Sequence, residues 1–415
     1  NDNSIANEFA DYFSKIYTPN CPERAKCLSE EYIRLRQNYF GLPFSDTSLF
    51  DTEQVSKVIG NLQCGRAPGI DGIMAEHLMK AHPVLCVILA KLFRLIYCSK
   101  CVPNDFCFSY IVPIPKTSDT SNKILSMSDF RGIAISPILS KVFEHCLVEK
   151  LEDYLRTSEK QFGFKKGVGC NHAIYTVHQI VEGYIKGGNT ANLCTIDLSK
   201  AFDKVNHHGL LIKLMKRNLP VNILELLEHM MENCNSCVKW NAEFSCVFSV
   251  QFGVRQGSVL SPFLFAIYID DIVGNLWPRL PLHSFMILYA DDILLIAPSI
   301  QELQRLFDTC EKELLYLDMI INAKKTYCVR IGPRCDIKAA NIVTSNGQKV
   351  PWVNEIRYLG TYILQSRQFK CSLVHAKRSF HRSLNAVYSK LSGVASEEVV
   401  LELVKTKCLP ILLYC

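Results

Sequence analysis

Asp291 and Asp292, in the run Tyr289-Ala290-Asp291-Asp292, are all that separates two largely apolar stretches, 284–290 and 293–297. That is the pattern of a tight β-hairpin with acids at its tip. Two like charges about 4 Å apart repel by roughly 4 kcal/mol at an effective dielectric of 20, so the pair calls for compensation. A solvent-facing turn is one account, because Asx residues suit turns. Asp197, in the short apolar run 193–198, supplies a third carboxylate. Three carboxylates on one cleft suit Mg²⁺, which takes a few of them and completes its shell with water and phosphate oxygens. Two such ions roughly 3.5–4 Å apart activate an attacking hydroxyl and stabilise a leaving pyrophosphate. The expected chemistry is nucleotidyl transfer, with Asp197, Asp291 and Asp292 as ligands of two Mg²⁺ ions and Mn²⁺ as a substitute.

The elements that must position these acids can be read from pattern. A strand over 193–198 runs into a helical pattern over 201–218. Ser261-Pro262 opens a second helix, with Pro at its first position. After the hairpin, Ser299 and Glu302 form a capping box. Leu303, Leu306, Phe307, Cys310, Leu314 and Leu317 give the helix behind it a buried face. A strand over 326–331 follows. Strand, helix, helix, hairpin, helix, strand predicts an α+β fold, an antiparallel sheet backed by helices on one face. Upstream, 1–50 mixes short helical pieces with Pro19, Pro22 and Pro43 and reads as an irregular extension, 75–99 as one apolar helix, and 110–115 as a strand whose prolines place it at a sheet edge.

Composition narrows the class. With 415 residues, 48% of them hydrophobic, the chain has material for a globular core of several subdomains. Its longest apolar stretches are broken by charges, so no transmembrane span is expected. Nothing at 1–10 resembles a secretory signal. The 19 cysteines are odd in number and scattered, which fits reduced thiols in an intracellular protein. The pairs Cys98/Cys101 and Cys234/Cys237 could hold zinc, but packing is the preferred account. A net charge of +6 does not by itself mark a nucleic-acid binder. From 365 to 391, however, Arg367, Lys370, Lys377, Arg378, Arg382 and Lys390 stand with no acid among them. Leu373, Ala376, Phe380, Leu384, Val387 and Leu391 form an apolar stripe on that segment, whose basic face suits a phosphate backbone or, more plainly, solvent.

Longer motifs carry a resemblance. The run 196–207, Ile-Asp-Leu-Ser-Lys-Ala-Phe-Asp-Lys-Val-Asn-His, and the run 253–262, Gly-Val-Arg-Gln-Gly-Ser-Val-Leu-Ser-Pro, are similar to motifs of the reverse transcriptases of LINE-type (non-LTR) retrotransposons. So are Ala67-Pro68-Gly69-Ile70-Asp71-Gly72, Pro113-Ile114-Pro115-Lys116, Asp129-Phe130-Arg131, Gln161-Phe162-Gly163-Phe164, Asn322-Ala323-Lys324-Lys325 and Tyr358-Leu359-Gly360. Gly132 and Gly169-Cys170 depart from the family pattern. The resemblance implies a right-hand polymerase fold: extension 1–50, helical fingers 51–190, an antiparallel palm 191–364 and the start of a helical thumb 365–415. It implies RNA-directed DNA synthesis from dNTPs on an RNA template and a DNA primer. Lys116 and Arg131 would hold the triphosphate, Phe202 would exclude a 2′-hydroxyl, Gln256 and Gly257 would face the nascent base pair, and Lys325 would protonate pyrophosphate. A nuclear location with a cytoplasmic ribonucleoprotein stage is implied too. The chain lacks an initiator Met and stops within an apolar run, so it reads as a fragment, without the family's endonuclease domain.

Two other classes use parts of this set. A non-catalytic nucleic-acid scaffold has no need of the three acids with Lys116, Arg131 and Gln256. A two-metal nuclease does not require Phe202 or the Gln256-Gly257 loop. Among polymerases, intron-encoded and retron enzymes share the Tyr-Ala-Asp-Asp turn, and the run 196–207 favours the retrotransposon lineage.

Overall fold

The computed structural model describes residues 1–42, 50–116, 125–276, 283–391 and 393–414. The chain divides into two compact units that interleave along the sequence. One comprises 1–158, 199–271 and 313–320, the other 159–198, 272–312 and 321–415. Helices and strands mix in an α+β architecture.

The second unit holds a four-stranded antiparallel sheet, in the order Phe285–Tyr289, Asp292–Ala297, Ala191–Ile196, Tyr327–Ile331. The strands 191–196 and 292–297 are the two inner strands, and apart from Thr195 and Asp292 every residue in them is buried, Asn192 included, so apolar residues predominate in both. Leu193, Leu294, Ile296, Val329 and Ile331 pack with Ala173, Val177 and Val181 of the helix Cys170–Lys186. On the alternate residues, Cys194 lies within electrostatic reach of Cys310 on the helix Ile300–Tyr316. The sheet is therefore covered on both faces, not one. The expected buried stripe of that helix is found: Leu303, Leu306, Phe307, Cys310 and Leu314 are each at most 1% exposed. Its N-terminus carries the expected cap, Ser299 Oγ accepting from Glu302 N at 3.1 Å.

The first unit is built on a five-stranded sheet. Its strand Phe108–Pro115 pairs antiparallel with Phe130–Ile135 and parallel with Asn235–Trp240. This corrects the edge assignment for 110–115. The parallel partner ends opposite Ile111, so Pro113 and Pro115 lie where the strand has one neighbour and a missing N–H costs no ladder bond.

Within 1–42 the helical pieces are longer than the sequence suggests, and 43–49 lie outside the described residues. Asp2–Ile16 and Pro22–Arg36 are helices, and Phe9, Ala10 and Phe13 of the first pack on Ile111, Ala134 and Val238 of the five-stranded sheet. The apolar stretch 75–99 is two helices, Ala75–Met79 and Val84–Ser99, parted at Pro83. Behind the strand 191–196, a short 3₁₀ turn, Ala201–Lys204, precedes the helix His207–Lys216. The helix Val374–Leu391 has no fully buried residue; its stripe is half-covered from Ala376 to Leu391 and Leu373 is exposed. Among the described residues every cysteine is free, and no helix is long and apolar enough to cross a membrane.

Candidate active site

Tyr289 pairs with Asp292 in the hairpin, so the two-residue turn is Ala290-Asp291 and Asp292 is the first residue of the returning strand. The sequence reading had both acids in the turn. The difference lies in Ala290, which takes a left-handed backbone with φ +54°, as twisted strands require at the first position of a two-residue turn. An alanine there is costly unless the surroundings hold it. They do: Ala290 N donates to Gln161 Oε1 at 3.1 Å, and the same oxygen accepts from Gly163 N at 2.9 Å. Gln161 is completely buried, and Phe162 N donates to Leu288 O at 2.8 Å. A Cβ on Gly163 would overlap the Ala290 backbone. The Gln-Phe-Gly run is thus the buttress of the acidic turn.

Asp197 reaches the same place from the central strand. Ile196 lies opposite Ile293, so the next residues in register, Asp197 and Asp292, face each other at the strand ends. Asp197 N donates to Thr326 Oγ1 at 3.4 Å and its carbonyl accepts from Asn322 N at 2.8 Å. The turn 322–325 is fixed in turn by Lys325 N donating to Asn322 O at 3.0 Å. Desolvation raises the Asp197 carboxyl above the usual range, the Lys325 charge opposes this, Asp291 adds to it, and a hydrogen bond with the Asn322 side chain opposes it. Asp292 is pushed up to about 6, first by desolvation and then by repulsion from Asp291 and Asp197, against the pull of Arg357. Acids that raise the Asp197 and Asp292 carboxyls through their charge make a site a divalent cation would relieve. Among the described residues no three His, Cys, Asp or Glu side chains converge closely enough to chelate an ion unaided. The trio fits a cation that draws the rest of its shell from water and phosphate oxygens, as Mg²⁺ does. The Tyr358-Leu359-Gly360 run forms its own hairpin in this unit, with Tyr358 opposite Thr361.

Lys116, Arg131, Phe202, Gln256 and Gly257 belong to the first unit. Arg131 is exposed on the strand 130–135, opposite Ile114. Lys116 N donates to Asp129 O at 2.8 Å and its Nζ to Ser128 O at 2.6 Å; the segment 117–124 beyond it lies outside the described residues. The Phe202 ring stacks on Phe265 with centroids 4.2 Å apart and 16° between planes, which leaves it partly exposed. The loop 253–257 is fastened on two sides. Val254 N donates to Phe202 O and Ala134 N to Gln256 O, each at 2.8 Å. Gly257 has φ +127°, and a Cβ there would overlap the Ala134 carbonyl, so backbone reaches backbone only because the residue is glycine.

Sequence reasoning gave no role to two acids here, one buried and one half-buried. Glu144 has no exposed surface and accepts from Val259 N at 2.7 Å and Leu260 N at 3.0 Å, directly ahead of the helix Ser261–Leu276. Its signal was an acid on the apolar face of the helix Ile138–Lys150. Asp203 accepts from Gln256 Nε2 at 3.1 Å. Its carboxyl is pushed up to about 6 by desolvation, against the Gln256 hydrogen bond and the charges of Lys200, Lys204 and Arg131.

Residues 114–363 match a family model described as reverse transcriptase (RNA-dependent DNA polymerase). The chain is 26% identical over 345 residues to the RNA-directed DNA polymerase from mobile element jockey of Drosophila funebris, covering 79% of this chain and 36% of that protein. It is 29% identical over 254 residues to the probable RNA-directed DNA polymerase from transposon X-element of Drosophila melanogaster, covering 59% and 27%. The chain thus spans about a third of the length of the curated relatives it matches. Among solved structures, an apo telomerase from Candida tropicalis truncated from its C-terminal domain aligns with a TM-score of 0.47 at 15% identity, over 70% of this chain and 60% of that one.

Proposed function

This chain belongs to the reverse transcriptase (RNA-dependent DNA polymerase) family, with relatives in Drosophila non-LTR retrotransposons, and we propose that it extends a DNA primer on an RNA template with deoxynucleoside triphosphates. The observation that carries this reading is the register that sets Asp197 opposite Asp292, beside a turn held by Gln161. Members of the family use divalent metal ions, and Asp197, Asp291 and Asp292 would hold two Mg²⁺, or Mn²⁺ in their place. When bound, such ions sharpen the 3′-hydroxyl as a nucleophile and neutralise the leaving pyrophosphate.

The chain's own residues supply the rest. Lys116 and Arg131 are the cations for the triphosphate. Phe202, its ring set by Phe265, stands as the barrier to a 2′-hydroxyl. Gln256 and Gly257 contact the forming base pair, and Lys325 gives a proton to pyrophosphate. The basic face of 374–391 follows the phosphate backbone of the template–primer. The segments 51–190, 191–364 and 365–415 are read as fingers, palm and the beginning of a thumb, and the site of action as the nucleus, reached through a cytoplasmic ribonucleoprotein.

Incorporation of dTTP on poly(rA) primed with oligo(dT) tests the reading. Mg²⁺-dependent extension is expected; a folded protein that extends no primer with either Mg²⁺ or Mn²⁺ would overturn it. Phe202→Ala should raise the use of ribonucleotides relative to deoxynucleotides at least tenfold, and unchanged sugar selectivity would remove the gate from Phe202.

A further inference from the structure

Asp203 lies between the sugar-gate candidate and the turn to the next helix, and none of the roles above uses it. The segment it sits on is latched to the loop 253–257. Gly253 N donates to Val205 O and Val254 N to Phe202 O, both at 2.8 Å, and His207 Nε2 lies 2.8 Å from Gly253 O. Ala134 holds the Gln256 carbonyl from the other side. The backbone of Gln256 is thereby fixed, while its amide could still turn either way. An ionised carboxylate can only accept, so Asp203 Oδ1, 3.1 Å from Gln256 Nε2, admits one orientation, with Oε1 turned away. Lys200, Lys204 and Arg131 favour the ionised form that imposes this choice.

We propose that Asp203 is a positioning residue for the incoming deoxynucleotide: it locks the Gln256 amide so that an acceptor oxygen, not an amino group, meets the nascent base pair. The proposal rests on the reading that Gln256 faces that pair.

Single-nucleotide extension on an RNA template with a DNA primer tests it. Asp203→Ala should raise the KM for the correct nucleotide about tenfold and lower discrimination against mismatches, with kcat changed less. Asp203→Asn, nearly isosteric, can still accept from Nε2 but also tolerates the flipped amide, so it should fall between Ala and wild type. Gln256→Ala should show the same KM rise, and adding Asp203→Ala to it should change nothing more, because the two residues act as one. The proposal is overturned if the two effects multiply, if Gln256→Ala matches wild type, or if a folded Asp203→Ala keeps wild-type KM and selectivity. Should thermal melting show that Asp203→Ala does not fold, Asp203→Asn decides by the same rule. Nucleotide titration onto a template–primer ending in a dideoxynucleotide needs no turnover and should rank the variants identically. A protein that binds dNTPs there but never extends a free primer refutes the polymerase reading, and this ranking alone then judges Asp203; a protein that binds none refutes both.

Discussion

Asp292 and Asp203 share a raised pKa of about 6, each lifted first by desolvation, yet their neighbourhoods are opposite in sign. Around Asp292 stand two more acids, Asp291 and Asp197, and the Arg357 charge opposes them. Around Asp203 stand the Gln256 amide and three cations, Lys200, Lys204 and Arg131. Desolvation of the carboxylate disfavours charge in both places. In one the protein adds repulsion, leaving compensation to something from outside; in the other it has already supplied the compensation. A shifted pKa alone would make the two acids look alike. Their partners separate a site that awaits a cation from a joint that holds another side chain.

The sharpest way to break this contrast is to neutralise each acid in turn. Asp292→Asn should lower primer extension by at least about a thousandfold, the scale expected when a charge needed in the transition state is lost. The same change removes a repulsion from the folded protein, so without divalent ions its melting temperature at pH 7.5 should be equal to or above that of wild type. Adding Mg²⁺ should raise melting in the wild type, where binding stabilises the native state, and do so much less in the variant. Calorimetric scans with and without Mg²⁺, beside primer-extension rates, read all three. An Asp292→Asn protein with wild-type extension would end the assignment.

Much of this contrast was legible in the sequence on one side only. Asp197, Asp291 and Asp292 stand in apolar runs, where any acid is conspicuous, and the period of the flanking residues gave the strands that carry them. What the sequence withheld depends on pairing. The shift of the turn to Ala290-Asp291 follows from the register with the partner strand and from the Gln161 hydrogen bond, and Gln161 lies more than a hundred residues away in the chain. Asp203 was invisible for a related reason: its partner Gln256 is distant in sequence, so nothing local distinguished it from a surface acid. The prolines at 113 and 115 misled because edge character belongs to part of a strand, and the strand 108–115 is flanked on both sides only as far as Ile111. The helix Asp2–Ile16 runs longer than the short helical pieces read at 1–50 because its apolar residues gain a meaning only against the five-stranded sheet they cover.

The acidic turn also depends on its buttress, which offers a smaller perturbation that leaves all three acids in place. Gly163→Ala would drive a methyl group into the Ala290 backbone, and the turn must yield, since the Gln161 side chain behind it has no exposed surface to move into. A displacement near 1 Å of catalytic groups costs roughly a hundredfold in rate. The expected result is a fall in kcat of about that size with the KM for dNTP within about threefold of wild type, measured by steady-state extension. A wild-type kcat in Gly163→Ala would mean that the turn keeps its place without the close approach, and that the compensation at Asp292 does not depend on where the turn sits.

The smallest effect should come from the compensated acid and appear as a pH slope. Asp203 has a folded pKa of about 6 against the ordinary aspartate value of 3.8, so between those values the folded protein binds more protons than the unfolded chain. Stability from this group is therefore greatest at low pH and falls as pH rises from about 4 to about 6, the reverse of a salt-bridged carboxylate. The full difference corresponds to about 3 kcal/mol. Asp203→Asn cannot ionise, yet it keeps an oxygen for Gln256 Nε2, so it escapes the cost of charging while losing the attraction of Lys200, Lys204 and Arg131. Relative to wild type its melting temperature should rise by a few degrees between pH 4 and pH 7, a scale set by about 2–4 °C per kcal/mol in chains of moderate size. Paired thermal melts across that range read the difference directly, because every other titrating group is common to both proteins. A difference that stays flat, or one that shrinks as pH rises, would show that the three cations keep Asp203 ionised throughout, and that it is more fully compensated than its burial implies.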